Sequence, residues 1–218
     1  MPFPIAARDV KSGWFVAVAA MAAVVVASNF LVQFPVQASI GKLNLADLLT
    51  WGAFTYPLAF LVNDLTNRRF GSSAARLVVL VGFAIAVVLS IYFASPRIAI
   101  ASGSAFLVAQ LLDVGIFNRL RGRAWWRAPV VSSLIGSLVD TVLFFSLAFS
   151  AAFSGLGPND AFAIESAPLV GLMASFEAPR WVSWALGDLV IKVLIALAAL
   201  APYRVALSLF GSAEPQHG

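Results

Sequence analysis

Residues 187–202 read GDLVIKVLIALAALAP, an apolar run that holds Asp188 and Lys192 four residues apart. An acid followed by a base at that spacing falls on one face of a helix, where the two side chains meet. A third ionisable group, Asp140 in GSLVDTVLFFSLAF (136–149), lies in another apolar run with no basic residue near it in sequence. A central Asp or Lys disfavours entry into a bilayer by about 2.5–3.5 kcal/mol, so such groups are either paired or line a wet cavity. Two carboxylates and an ammonium supply paired acceptors and a donor, which suits the holding of a polar solute. Asp140 and Asp188 are also the candidates for proton coupling, since their charge could follow pH. A purely structural Asp140–Lys192–Asp188 cluster is the competing reading. The pocket reading is preferred here, with Asn29 or Gln110 facing a bound solute alongside the charges.

The remaining polar groups within apolar runs are Asn29, Gln33, Thr55, Asn63, Asp64, Gln110, Asp113, Asn118 and Thr141. Asp140 lies eleven residues beyond Pro129, about 16 Å along a helix, and Lys192 nine beyond Ser183, about 13 Å, so both fall near a midplane. Phe144, Phe145 and Trp184 flank these charges and could stack on a flat ring, although a chain with 18 phenylalanines makes that signal weak by itself. Asp64 and Asp113 sit near the ends of their runs, within reach of Arg68–Arg69 and Arg119–Arg123. Their simplest role is in ion pairs that fix helix ends or act in gating, with Asp64 and Arg68 four apart and Asp113, Asn118 and Arg119 close together.

The elements that carry these groups follow from composition. Of 218 residues, 61% are hydrophobic and 11% charged, with mean hydropathy +0.93. A soluble domain is about 25% charged, so this chain is an integral membrane protein. Six runs are long enough to span about 30 Å of hydrocarbon, at 13–33, 46–64, 76–95, 98–118, 129–152 and 183–210. The first is too long for a signal peptide and continues into Asn29 and Gln33. Ten basic residues, from Arg8 and Lys11 through the 68–76 and 119–127 segments to Arg204, fall on one side, against Lys42, Arg97 and Arg180 on the other. That excess places both termini in the cytoplasm and the long 153–182 loop, between helices five and six, outside. The expected architecture is therefore an all-α polytopic membrane protein of six helices. Residues 1–12 form a cytoplasmic segment, 13–210 the transmembrane domain, and 211–218, with His217, a disordered tail.

A pI near 10 suggests a nucleic-acid partner only until the positions of the basic residues are seen; they mark orientation instead. There is no cysteine and one histidine, so thiol chemistry and a histidine-based metal centre are excluded. No phosphate loop, nucleophile elbow or zinc-protease pair appears, and no single helix carries carboxylates at metal-ligand spacing. The chain reads as no enzyme, without cofactor or metal. Ala19, Ala23 and Ala27 make a small-residue stripe, read as an intrachain packing face. Trp51, Trp125 and Trp126 fall near interfaces as an aromatic belt. A weak echo links FLVNDLTNRRFG (60–71) to QLLDVGIFNRLRGR (110–123).

Several stretches together carry a resemblance: SNFLVQFPV (28–36), TWGAFTYPLAFLVNDLTNRRFG (50–71), RIAIAS (97–102), LLDVGIFNRLRGRAWWRAP (111–129), GSLVDTVLFFSLAF (136–149) and GDLVIKVLI (187–195). In that order the chain resembles the bacterial queuosine precursor transporters of the vitamin uptake transporter family. The resemblance implies uptake of 7-cyano-7-deazaguanine, and of its aminomethyl relative, across the inner membrane for tRNA queuosine synthesis. It implies polar functional positions at Asn29, Gln33, Asp64, Asp113, Asn118, Arg119, Asp140, Asp188 and Lys192. The departures from the family pattern are Asn63 and Asn67, with Gln110 outside any clear pattern and the loop at 153–170 particular to this chain, and they bear on the choice among precursors.

A deazaguanine presents adjacent N1–H and NH₂ donors that one carboxylate accepts in parallel, and an O6 acceptor suited to Lys192, Asn29 or Gln110. The expected partners are this small molecule, the lipid bilayer and a second copy in a homodimer. Alternating access by the chain alone is the leading expectation. A substrate-binding subunit of an energy-coupling-factor-type vitamin importer, docking through the alanine stripe, is the alternative.

Overall fold

The computed structural model describes residues 7–41, 43–93, 95–170 and 173–212, and the long apolar runs in it are helices. Expectations for Lys42, His217, the first six residues and the tail beyond Ser212 lie outside the described residues. In order the elements are α1 (Ala7–Leu31), β1 (Ser39–Ile40), β2 (Leu43–Asn44), α2 (Gly52–Thr55), α3 (Leu58–Phe70) and α4 (Ser72–Phe93). They continue with α5 (Pro96–Leu120), α6 (Arg127–Phe149), α7 (Ala161–Ile164), β3 (Ser166–Leu169), β4 (Met173–Pro179), α8 (Arg180–Ala198) and α9 (Leu200–Ser212).

Among the described residues five stretches are long and apolar enough to cross a membrane: Gly13–Leu31, Ser72–Ser90, Pro96–Leu120, Arg127–Phe149 and Arg180–Leu209. The run expected at 46–64 differs. Pro57 has no N–H to continue the helix, so the chain makes one short helix, turns tightly through Tyr56 and Pro57, and starts again as α3. The turn is closed by three-residue bonds from Ala59 N to Tyr56 O at 3.0 Å and from Phe60 N to Pro57 O at 3.1 Å. A broken helix of this kind leaves backbone and side-chain groups facing inward at membrane depth, where transporters place their sites.

Glycine allows the broken pair to sit close to its neighbours. A Cβ at Gly52 would lie 2.9 Å from the Val32 backbone, and one at Gly136 would lie 2.7 Å from Phe60 Cε1. The first contact seals α2 against the end of α1; the second presses α3 onto α6. The apolar core lies among α1, α3, α4 and α5, with Met21, Val25, Ala59, Val78, Val79, Phe106 and Val114 buried. A smaller cluster of Phe117, Ala128 and Tyr203 closes the other end, where Arg68 donates to the Tyr203 hydroxyl at 2.9 Å and to the Arg121 carbonyl at 2.7 Å. The side chains that remain exposed on the long helices, among them Phe15, Val16, Leu80, Val142 and Val190, are the apolar ones lipid would cover.

The packing differs from expectation on α1 and at Arg97. Ala19 and Ala23 are exposed, because the face of α1 that packs inward carries Met21, Val25 and Ser28 instead. The loops carry two short hairpins, β1 paired with β2 and β3 with β4, both antiparallel. The second hairpin folds back over α8, tied down where Val170 N donates to Ser183 Oγ at 2.9 Å. Arg97, expected at an outer surface, is buried with 3% exposure. Its guanidinium donates to the carbonyls of Leu147, Ser150, Gly157 and Pro158 and to Asn159 Oδ1, so one side chain pins the whole 147–159 turn.

Candidate functional site

The apolar faces of α6 and α8 bring Asp140, Thr141, Asp188 and Lys192 together. Lys192 Nζ donates to Asp140 Oδ2 at 2.6 Å, to Thr141 Oγ1 at 3.1 Å and to Asp188 Oδ2. All three ammonium protons thus have acceptors. Thr141 Oγ1 donates in turn to Asp188 Oδ2 at 2.8 Å. From the helix break, the Tyr56 hydroxyl donates to Asp140 Oδ1 at 2.7 Å, and the Lys192 ammonium lies 5.3 Å from the Tyr56 ring centre. Lys192 and Asp140 are almost fully buried. With both carboxylates ionised, the cluster carries one more negative charge than positive.

These bonds distinguish the two carboxylates. Asp140 has one oxygen on Lys192 and the other on Tyr56, so both its oxygens are engaged. Asp188 uses only Oδ2, and its side chain keeps 15% exposure. That exposure opens into a cavity of about 770 Å³ between the two hairpins and the ends of α6 and α8, lined in part by Phe144, Phe145, Phe149, Phe162, Trp184 and Asp188. The volume is ordinary for a small-molecule site. Its aromatic wall is held by ring contacts, Trp184 edge-on to Phe149 at 5.5 Å and tilted against Phe162 at 6.1 Å. Arg180 lies over Phe162, its guanidinium carbon 4.5 Å from the ring centre, and pairs with Glu165 at 3.2 Å on the rim.

A second cavity of about 200 Å³ reaches the same cluster from the α1 side, with Ser28, Asn29, Gln33, Tyr56, Asp140 and Lys192 in its wall. Val32, Ile98 and Phe144 belong to both cavities. The ion cluster is therefore locked internally yet touched by open space on two sides. Of the two readings open in the sequence, each describes part of the arrangement: the charges are paired with each other, and they line a pocket.

The other sequence candidates divide. Phe144, Phe145, Trp184 and Asp188 line the larger cavity, whereas Asp140 and Lys192 pair with Asp188 but face the smaller one. Asn29 and Gln33 line only the smaller cavity, and the Asn29 amide donates back to Val25 O at 2.9 Å. Gln110 lies at neither cavity: it faces inward from α5, fully buried, with neither side-chain polar atom hydrogen-bonded. Asp64 and Asp113 are buried, but among the described residues neither forms the expected ion pair. Arg68 turns away from Asp64 to Tyr203 and the Arg121 carbonyl, and Asn118 and Arg119 are exposed on the outer face of α5. Tyr56 and Arg180 were not foreseen. The signal for Tyr56 was its place beside Pro57, since a helix break inside an apolar run turns neighbouring polar groups inward.

The chain has relatives among known proteins. A family model described as "Putative vitamin uptake transporter" matches residues 50–95 and 90–206. The queuosine precursor transporter of Escherichia coli (strain K12) is 35% identical over 208 residues, covering 85% of this chain and 82% of that one. A "Probable queuosine precursor transporter" of Haemophilus influenzae is 33% identical over 213 residues, covering 85% and 82%. No solved structure matches the chain.

Proposed function

We propose, from the premise that this chain belongs to the vitamin uptake transporter family, that it imports queuosine precursors, 7-cyano-7-deazaguanine foremost, across the bacterial inner membrane. The single observation that carries the site is Asp188, a carboxylate anchored through one oxygen to a buried ammonium and open through the other to an aromatic-walled cavity. A flat deazaguanine lies against Trp184 and Phe149, and its N1–H and NH₂ converge on the one free oxygen of Asp188, Oδ1. The surplus negative charge of the cluster favours two such donors. Lys192 holds Asp188 in place through its second oxygen while Asp140, fixed by Tyr56, holds Lys192. Asp140 is thus a positioning residue, whereas the sequence left it equal to Asp188 as a direct ligand.

The chain crosses the membrane in six passes with both termini in the cytoplasm, the broken α2–α3 pair serving as the second. Three features support this path: Gly52 lies against the end of α1, Gly13 faces Phe70 at the other end, and Tyr203 meets Arg68 there. The 770 Å³ cavity then opens outward. Import follows by alternating access, with Phe144, common to both cavities, moving between them as the solute passes. Proteoliposomes holding this chain alone test the reading. It predicts accumulation of labelled 7-cyano-7-deazaguanine without a partner, competed by the aminomethyl analogue. Absence of uptake from correctly folded protein would reject a self-sufficient transporter and favour a subunit that needs an energising partner.

A further inference from the structure

Away from the lysine cluster, α3, α5 and α6 enclose a second polar layer that the transport reading does not use. Asp64 is 2% exposed and Asp113 is 0%. Among the described residues neither forms an ion pair, and each is served by neutral donors. Ser132 and Ser133 each donate to Asp64 at 3.3 Å, and the Asn63 amide donates to Asp113 Oδ2 at 3.0 Å and to the Gln110 carbonyl at 3.2 Å. Several oxygens of the same groups are left over. Asp113 Oδ1 and Asn63 Oδ1 are buried without a hydrogen bond, although their own groups bond to each other. Asn67 Oδ1, Gln110 Oε1 and Ser137 Oγ are in the same condition on the same three helices, as are two nitrogens, Gln110 Nε2 and Arg68 Nη2. Buried polar groups are almost always satisfied, so five unmatched oxygens beside two carboxylates need an explanation.

We infer that this layer is a binding site for a small monovalent cation, sodium, which completes the oxygen set that the protein leaves unpaired. Charge is the first argument, since two neighbouring carboxylates in an apolar surrounding need positive charge. The nearest basic residue, Arg68, one turn from Asp64, turns Nε and Nη1 to Tyr203 and Arg121, leaves Nη2 buried without a hydrogen bond, and forms no ion pair with either carboxylate. Ligand type is the second. Carboxylate, amide and hydroxyl oxygens are hard donors, and there is no nitrogen or sulfur acceptor in the layer. Number is the third: a proton would satisfy one carboxylate contact and leave the amide and hydroxyl oxygens as they are, whereas a metal ion takes several at once. Magnesium holds on to its waters, for which closely packed helices leave little room; Gly136 already meets Phe60 beside the layer. The site is assembled from three helices, which is why no single segment displays it.

As the coupling ion, sodium rests on the import reading above; its binding does not. The test uses the purified full chain in detergent without any deazaguanine, unfolded thermally in sodium, potassium or choline chloride at equal ionic strength and pH. Sodium at about 100 times its Kd should raise Tm by roughly 5–10 °C over choline. The shift should vanish in Asp113→Asn and, should that variant misfold, in the milder Asn63→Ala. It should persist in Asp188→Asn, whose carboxylate belongs to the other cluster. Equal Tm in all three salts for the wild type would overturn the site, as would a sodium shift retained in both Asp113→Asn and Asn63→Ala. A response to pH alone, with none to sodium, would overturn it in favour of a proton. An inward sodium gradient should then speed deazaguanine entry into proteoliposomes about tenfold. Uptake indifferent to that gradient would overturn the coupling, and uptake absent beside an intact sodium shift would reject the import reading alone.

Discussion

The chain holds two pairs of aspartates among its helices and treats them differently. Asp140 and Asp188 share an ammonium from Lys192, with Tyr56 and Thr141 completing the bonds. Asp64 and Asp113 share only serine and asparagine donors and leave oxygens unmatched. The first pair is internally neutralised except for one surplus charge, so it stays ordered without a ligand and offers a single free edge to one. The second depends on something from outside. A buried ion pair is therefore not in itself the sign of a site here; what marks function is the group left incomplete.

Removing the partner from each pair separates them most strongly. Lys192→Met strands two carboxylates in an apolar wall and should destabilise the protein by about 3–5 kcal/mol, read as a large fall in Tm. Asp64→Asn and Asp113→Asn should leave stability in choline unchanged or raise it, because each removes an unpaired charge. If Lys192→Met proved as stable as these, the distinction would collapse.

Next in size is the effect on transport. Asp188→Asn keeps the shape of the side chain but replaces an acceptor by a donor facing donors. It should cost about 2–4 kcal/mol of substrate binding, roughly 30- to 1,000-fold in affinity, measured as the concentration dependence of uptake. Tyr56→Phe removes one hydrogen bond to a charged acceptor while keeping the ring near Lys192. About 1.5–3 kcal/mol of stability should be lost, with substrate affinity lowered less than in Asp188→Asn. The smallest effect belongs to the rim. Arg180 and Glu165 are a half-exposed pair, and Glu165→Gln should change stability by under about 1 kcal/mol. A larger loss would show that the hairpin over the cavity is held by that pair rather than by Ser183.

Much of this comparison was legible in the sequence, and the rest failed for identifiable reasons. Asp188 and Lys192 sit four apart, so their contact followed from helical spacing alone. Asp140 was matched to Lys192 by depth, an argument that works when both helices are straight and span the membrane. The same argument failed for 46–64, where Pro57 interrupts the helix and brings Tyr56 to Asp140. Gln110 was placed in the pocket because it is polar and deep, but depth does not say which face of α5 it occupies. Proximity in sequence misled for Asp64 and Arg68, whose guanidinium found a hydroxyl and a carbonyl on α9 and α5 instead. Arg97 looked like a loop residue, and only the fold shows the carbonyls it gathers.

The most direct measurement is equilibrium binding of 7-cyano-7-deazaguanine to the purified chain, wild type against Asp188→Asn, by calorimetry. The geometry predicts saturable binding by the wild type and a loss of at least about 30-fold in the variant, with the thermal transition still cooperative. Equal affinity in the two would contradict the assignment of that carboxylate, and with it the recognition of the guanine-like edge by the lysine-anchored cluster.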